Sequence, residues 1–146
     1  MKLSDFDFRI WDENHKGCGN KDCKCQSKYI LGEHAKNMLS EFMGKDVEIE
    51  LWTGLRDKNG KKIYEGDIVR YFECEILVIK FRYGVFMACP DYDEFLKKFE
   101  YDKNDEGVKD NWLEMSYKLY RQARNGVCNR LEIIGNIHEN TELLKN

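Results

Sequence analysis

Proline is almost absent: Pro90 is the single one in 146 residues, so no proline-rich linker divides the chain. No apolar run approaches the about 18 residues that a membrane-spanning helix requires. The opening MKLSDFDFRIWDEN has neither an uninterrupted apolar core nor a small-residue cleavage site, so no secretory leader is expected. The expected compartment is therefore the cytoplasm. An excess of positive charge is also missing, with Lys and Arg at 24 against 27 acids and a net charge of −3. That balance gives no electrostatic case for general nucleic-acid binding. No GxGxxG, Walker or GxSxG pattern occurs, which removes nucleotide-binding and α/β-hydrolase readings. Histidines are few, and none of His15, His34 and His138 stands at triad spacing from a cysteine. No catalytic residue emerges, and a non-enzymatic protein is the expectation.

What the chain does have is concentrated in residues 47–69. Val47, Ile49 and Leu51 alternate with Glu48, Glu50 and Trp52, the period-2 pattern of a half-buried strand over 47–53. Thr53-Gly54, Asp57-Lys58-Asn59-Gly60 and Tyr64-Glu65-Gly66-Asp67 then supply turn chemistry. Asp57, Glu65 and Asp67 each adjoin a glycine or a turn position, so these acids read as turn formers and not as a catalytic pair.

Residues 5–11 alternate Phe6, Phe8 and Ile10, which predicts a first strand, and 13–28 form a polar loop. Ala35, Met38, Leu39 and Phe42, with Gly44 beyond them, predict a helix over 32–43. Runs at 68–72, 75–81 and 85–88 predict a meander, with Tyr83-Gly84 as one turn. After Pro90, capping signals at Asp91/Glu94 and Asn111/Glu114 predict helices over 91–100 and 111–125. Strand character returns at 130–137. Phe8, Ile10, Ile49, Leu51, Ile68, Val78, Phe81 and Ile133 are the expected shared core.

Four of these stretches carry a resemblance. Leu51–Val69, reading LWTGLRDKNGKKIYEGDIV, resembles the TGL-D-NG-IYEGD signature of the YopX family of phage-encoded proteins. Phe8-Arg9-Ile10-Trp11-Asp12 is similar to the family's opening FRAWD motif. Arg130–Ile137 resembles its closing VIGNIYENPELL, with His138 and Thr141 where tyrosine and proline are usual. The run VIKFRYGVFMA is similar to its strands paired around a short glycine turn. The resemblance implies a small, mainly antiparallel β-barrel of SH3-like type with helical additions, and a phage or prophage origin in a bacterial host. It assigns no activity. The expected organisation is one domain over 1–146, with 91–125 as a helical insertion outside the family pattern.

Six cysteines in a cytoplasmic chain are expected to be thiols or metal ligands. His15, Cys18, Cys23 and Cys25 offer four zinc-type ligands in eleven residues, among glycines that let a loop fold back, with His34 as a substitute. The spacing is that of no standard finger, so zinc and a solvated loop of reduced thiols both stay open. Cys74, Cys89 and Cys128 read as small buried hydrophobes. Arg56, Lys58, Lys61, Lys62 and Arg70 gather basic charge near one hairpin, with Trp52 and Tyr64 close in sequence. They read as a solvated hairpin tip, single-stranded nucleic acid being the less favoured alternative. The insertion places Phe95, Phe99, Trp112, Tyr117 and Tyr120 on short helices, more rings than one sheet face covers. Candidate partner-binding residues are therefore Trp52, Arg56, Tyr64, Tyr117 and Tyr120. The expected partner is an unidentified protein or a second copy of the chain, with a zinc-dependent enzyme on residues 15–25 as the alternative.

Overall fold

A computed structural model describes residues 1–15, 28–42, 44 and 46–144. By its contacts the backbone divides into two units, Met1–Trp52 and Thr53–Asn146.

In the first unit, β1 (Phe8–Trp11) pairs antiparallel with β2 (Tyr29–Ile30) and with the start of β3 (Glu48–Asp57). Phe8, Ile10 and Ile30 on one sheet face pack with Ala35 and Phe42. The expected helix covers this face but divides, with α1 at Gly32–Met38 and a 3-10 turn at Leu39–Phe42. Strand β3 brings a correction. Ile49 is 46% exposed, whereas Glu50, an expected outward position, is only 3% exposed. Its Oε1 accepts from Arg9 Nε at 2.7 Å and from Tyr29 Oη at 2.8 Å. The Arg9 guanidinium in turn lies 4.6 Å from the centre of the Tyr29 ring. A buried carboxylate is tolerable because a cation and a hydroxyl meet it there.

In the second unit, β10 (Leu131–Asn136), β5 (Asp67–Tyr71), β6 (Glu75–Arg82), β7 (Val85–Cys89) and β8 (Tyr117–Lys118) form an antiparallel sheet in that order. The end of β3 adjoins β4 (Lys62–Tyr64) and pairs parallel with β9 (Val127–Cys128). The architecture is mainly β with short helices, and among the described residues no pairing closes either sheet end to end. One core draws Ile63, Val69, Leu77, Ile79, Ala88, Cys128 and Leu131 from β4, β5, β6, β7, β9 and β10. The expected single core is therefore divided, because Phe8 and Ile10 belong to the other unit's cluster. Phe81, near the β6–β7 tip, is 37% exposed, with its ring centre 4.8 Å from that of Phe86.

The signature turns follow from their residues. Asp57 is fully buried, and its Oδ1 accepts from Asn59 N and Lys61 N, each at 2.9 Å. Its Oδ2 accepts from Ile133 N at 3.0 Å, tying the hairpin to β10. Asp67 Oδ2 accepts from Tyr64 N at 2.8 Å, closing the turn in which Gly66 adopts φ +87°. Among the described residues, no helix is long and apolar enough to cross a membrane.

The insertion departs most from expectation. Its first helix, α2, spans Tyr92–Lys98, with Asp91 Oδ2 accepting from Glu94 N at 3.1 Å. The second, α3, spans Val108–Glu114 and not 111–125. Gly107, at φ +80°, starts it four residues before the expected cap Asn111, and buried Val108 anchors its first turn. It ends where Ser116 Oγ donates to the Trp112 carbonyl at 2.7 Å and the chain turns extended. Tyr117 then pairs with Ala88 in β8, and Leu119, in the 3-10 turn Leu119–Gln122, enters the sheet core. The helical spacing of Leu113, Tyr117 and Tyr120 was thus produced by three different local structures.

Candidate functional site

Helix α2 ends in a Schellman motif. Glu100 takes φ +56°, Glu100 N donates to the Lys97 carbonyl at 3.3 Å, and Tyr101 N donates to the Leu96 carbonyl at 2.9 Å. This folds Tyr101 back so that its ring centre lies 5.7 Å from Phe95, with Phe99 5.0 Å from Phe95 on another side. Trp112 Nε1 donates to the Pro90 carbonyl at 2.8 Å and fixes α3 to the start of the insertion. Phe95, Trp112 and Leu113 bury themselves with Met87 and Cys89 of β7. Phe99 and Met115, at the far ends of α2 and α3, have no such cover.

Between them lies a groove of about 580 Å³, with Pro90, Phe95, Phe99, Met115 and Tyr117 as its apolar lining. Phe99 is 39% and Met115 53% exposed, while Phe95 is 3% exposed. Lys97, Lys98, Glu75 and Glu94 complete the lining, two charges of each sign. Tyr117 Oη donates to Glu75 Oε2 at 3.1 Å. Burial, then this carboxylate, push the Tyr117 hydroxyl above its ordinary value. The groove therefore offers apolar side-chain pockets and an electrically neutral rim.

Of the five candidate partner-binding residues, Tyr117 alone lines this groove, beside Phe95 and Phe99 from the surplus rings of the insertion. Tyr120 is 57% exposed and lies outside the lining, with the Arg121 guanidinium 6.0 Å from its ring centre. Arg56 donates from Nη1 to the Gly60 carbonyl at 2.9 Å, inside its own turn, and Tyr64 is half-buried. Trp52 is half-buried on β3, its N–H donating to the Asp7 carbonyl at 2.9 Å. Phe99 and Met115 were missed as site residues; Met115 carried no signal, because exposure at a helix end depends on where that helix stops.

Among the candidate zinc ligands, Cys18, Cys23 and Cys25 lie outside the described residues. His15 is half-buried, its ring centre 6.4 Å from that of His34. Cys89 and Cys128 are buried as expected, but Cys74 is exposed at the β5–β6 turn. Burial, with Asp57 alongside, pushes the Cys128 thiol up to about 11, which makes it a poor nucleophile.

A family model described as YopX protein matches residues 7–145. No curated protein matches the chain. Among solved structures, the chain is similar to the crystal structure of protein EF1440 from Enterococcus faecalis. The two share 24% identity at a TM-score of 0.43, over 96% of this chain and 98% of that one.

Proposed function

The chain belongs to the YopX protein family, and from that premise we propose that it is a non-enzymatic phage or prophage module, acting in the host cytoplasm, that docks a segment of a partner protein in the groove between α2 and α3. The SH3-like barrel implied by the family signature is part of this reading. It is supported by the single core that strands β4–β7, β9 and β10 share.

The observation that carries the reading is the exposure of Phe99 and Met115 on either side of buried Phe95. Aromatic rings and methionine enrich the centres of protein interfaces, and thioethers adapt to an irregular partner surface. A rim of two acids and two lysines has no net charge, so it suits an apolar-anchored peptide better than a polyanion. Tyr117 and Glu75, locked to each other, offer a polar fixed point at one wall.

The test uses the full-length chain as bait in host cells during phage growth, beside a Phe99→Ala/Met115→Ala variant of matched thermal stability. The reading expects a partner that crosslinks to the groove and is lost from the variant. Equal capture by both baits refutes it. Sedimentation of the purified chain covers the self-assembly alternative: a multimer dissolved by the same double substitution identifies the occupant as a second copy. The zinc-enzyme alternative, on His15, Cys18, Cys23 and Cys25, requires about one zinc per chain in protein purified without chelator.

A further inference from the structure

At the β5–β6 turn the backbone is strained. Phe72 adopts φ +51° and Glu73 φ +65°, and Cys74 N donates to the Tyr71 carbonyl at 3.2 Å. Tyr71 pairs with Glu75, so the loop is Phe72-Glu73-Cys74, and two consecutive left-handed residues at the centre of its 71–74 turn call for Asn or Gly; a bulky aromatic there is a steric outlier. The strained ring is presented to solvent, with Phe72 53% exposed. Strain kept at an exposed aromatic points to a use for that ring.

Three cations line the cleft beside it, each brought by a different turn or strand. Strand β5 pairs with β10, setting Arg70 opposite Glu132. Lys58 N donates to the Leu131 carbonyl at 2.9 Å, which brings the β3–β4 turn against β10. Phe72 N donates to the Arg130 carbonyl at 3.2 Å, and the Arg130 guanidinium lies 4.7 Å from the Phe72 ring centre. Together with Asn129 and Glu73 these residues line a cleft of about 330 Å³.

The charges do not cancel. Glu132 Oε2 serves both Lys58 Nζ, at 3.2 Å, and Arg70 Nη1, at 3.9 Å. Arg130 has no carboxylate partner among the described residues. With Glu73 included, the cleft is left with a positive surplus on a chain whose net charge is −3. Lys58 and Arg70 meet on Glu132, while Arg130 stands against the Phe72 ring. An unanswered guanidinium on an exposed ring, with two further cations in the same cleft, suits a phosphodiester with a stackable base.

We propose that this cleft binds a short segment of single-stranded nucleic acid, one base against the exposed Phe72 ring and a flanking phosphate on Arg130, with Lys58 and Arg70 as the further cations of the cleft. The site is separate from the α2–α3 groove and independent of its occupant.

The experiment measures anisotropy of a fluorescein-labelled oligo(dT) titrated with the full chain at low salt, then across a salt series. Saturable binding that weakens with salt is expected. Phe72→Gly removes the ring and relieves the left-handed strain, so it should weaken binding about tenfold while the melting temperature holds or rises. Arg130→Gln should also weaken binding, and Lys97→Ala/Lys98→Ala in the groove should leave it unchanged. No binding at low salt overturns the proposal, as does binding indifferent to Phe72→Gly and Arg130→Gln. A tyrosine-phosphorylated peptide also presents a ring and an anion; if it displaces oligo(dT) from the cleft at far lower concentration, the nucleic-acid assignment falls.

Discussion

Replacing Asp57 should expose how the signature hairpin is held. Its carboxylate is fully buried and receives three backbone N–H groups, from Asn59 and Lys61 at 2.9 Å and from Ile133 at 3.0 Å. A hydrogen bond to a charged group contributes about 1.5–3 kcal/mol, and a buried donor left alone costs about 1–3 kcal/mol. Asn59 and Lys61 are exposed, so water can replace the carboxylate at their amides and the loss there is at the low end. Ile133 is half-buried within β10, so its orphaned N–H carries the larger penalty. Asp57→Ala should therefore cost about 4 kcal/mol in total. Asp57→Asn keeps one acceptor oxygen for the turn amides but sets an NH₂ against the Ile133 amide, so it should cost about 2 kcal/mol. Urea unfolding followed by tryptophan fluorescence measures both, with the slope m checked for constancy. A loss under about 1 kcal/mol for Asp57→Ala would refute this account of the hairpin.

Glu50→Gln should cost about 1.5–3 kcal/mol, because it removes the charged acceptor that half-buried Arg9 meets at 2.7 Å, whereas Lys58→Gln, losing a part-exposed pair, should cost under about 1 kcal/mol; chemical denaturation of the two variants gives the comparison, and equal costs would contradict it. Gly54 and Gly66 sit at φ +83° and +87°, so alanine at either should lower stability by about 1 kcal/mol or more; unchanged melting temperatures in both would remove the turn argument. The Cys128 thiol, at 9.0 when unfolded and about 11 when folded, keeps its proton longer in the native chain. The unfolded state loses that proton first, so this stability is intact below pH 9 and declines between pH 9 and 11. The loss is on the order of 2 kcal/mol, and Cys128→Ala should flatten that part of the stability profile relative to wild type. Parallel profiles for the two proteins would show that the thiol plays no part.

The signature turns were legible in the sequence because their physics is local. Asp57 meets Asn59 and Lys61, and Asp67 meets Tyr64, within four residues, and glycine declares the positive φ they need. The strands of the meander were legible for a similar reason, since alternation and turn residues act over short distances. Helix length in the insertion was not. Tyr117 and Tyr120 keep helical spacing from Leu113, yet pairing with β7 draws Tyr117 into a strand and the core draws in Leu119. Burial of Glu50 was equally hidden, because its partner Arg9 lies 41 residues away. The same holds for Asp57 and Ile133, 76 residues apart. Sequence by itself determined the family, the turns and the mainly β character, all set by near neighbours and short motifs. The tertiary structure alone decided which rings stay exposed and which charges meet, since both depend on contacts between residues the chain holds far apart.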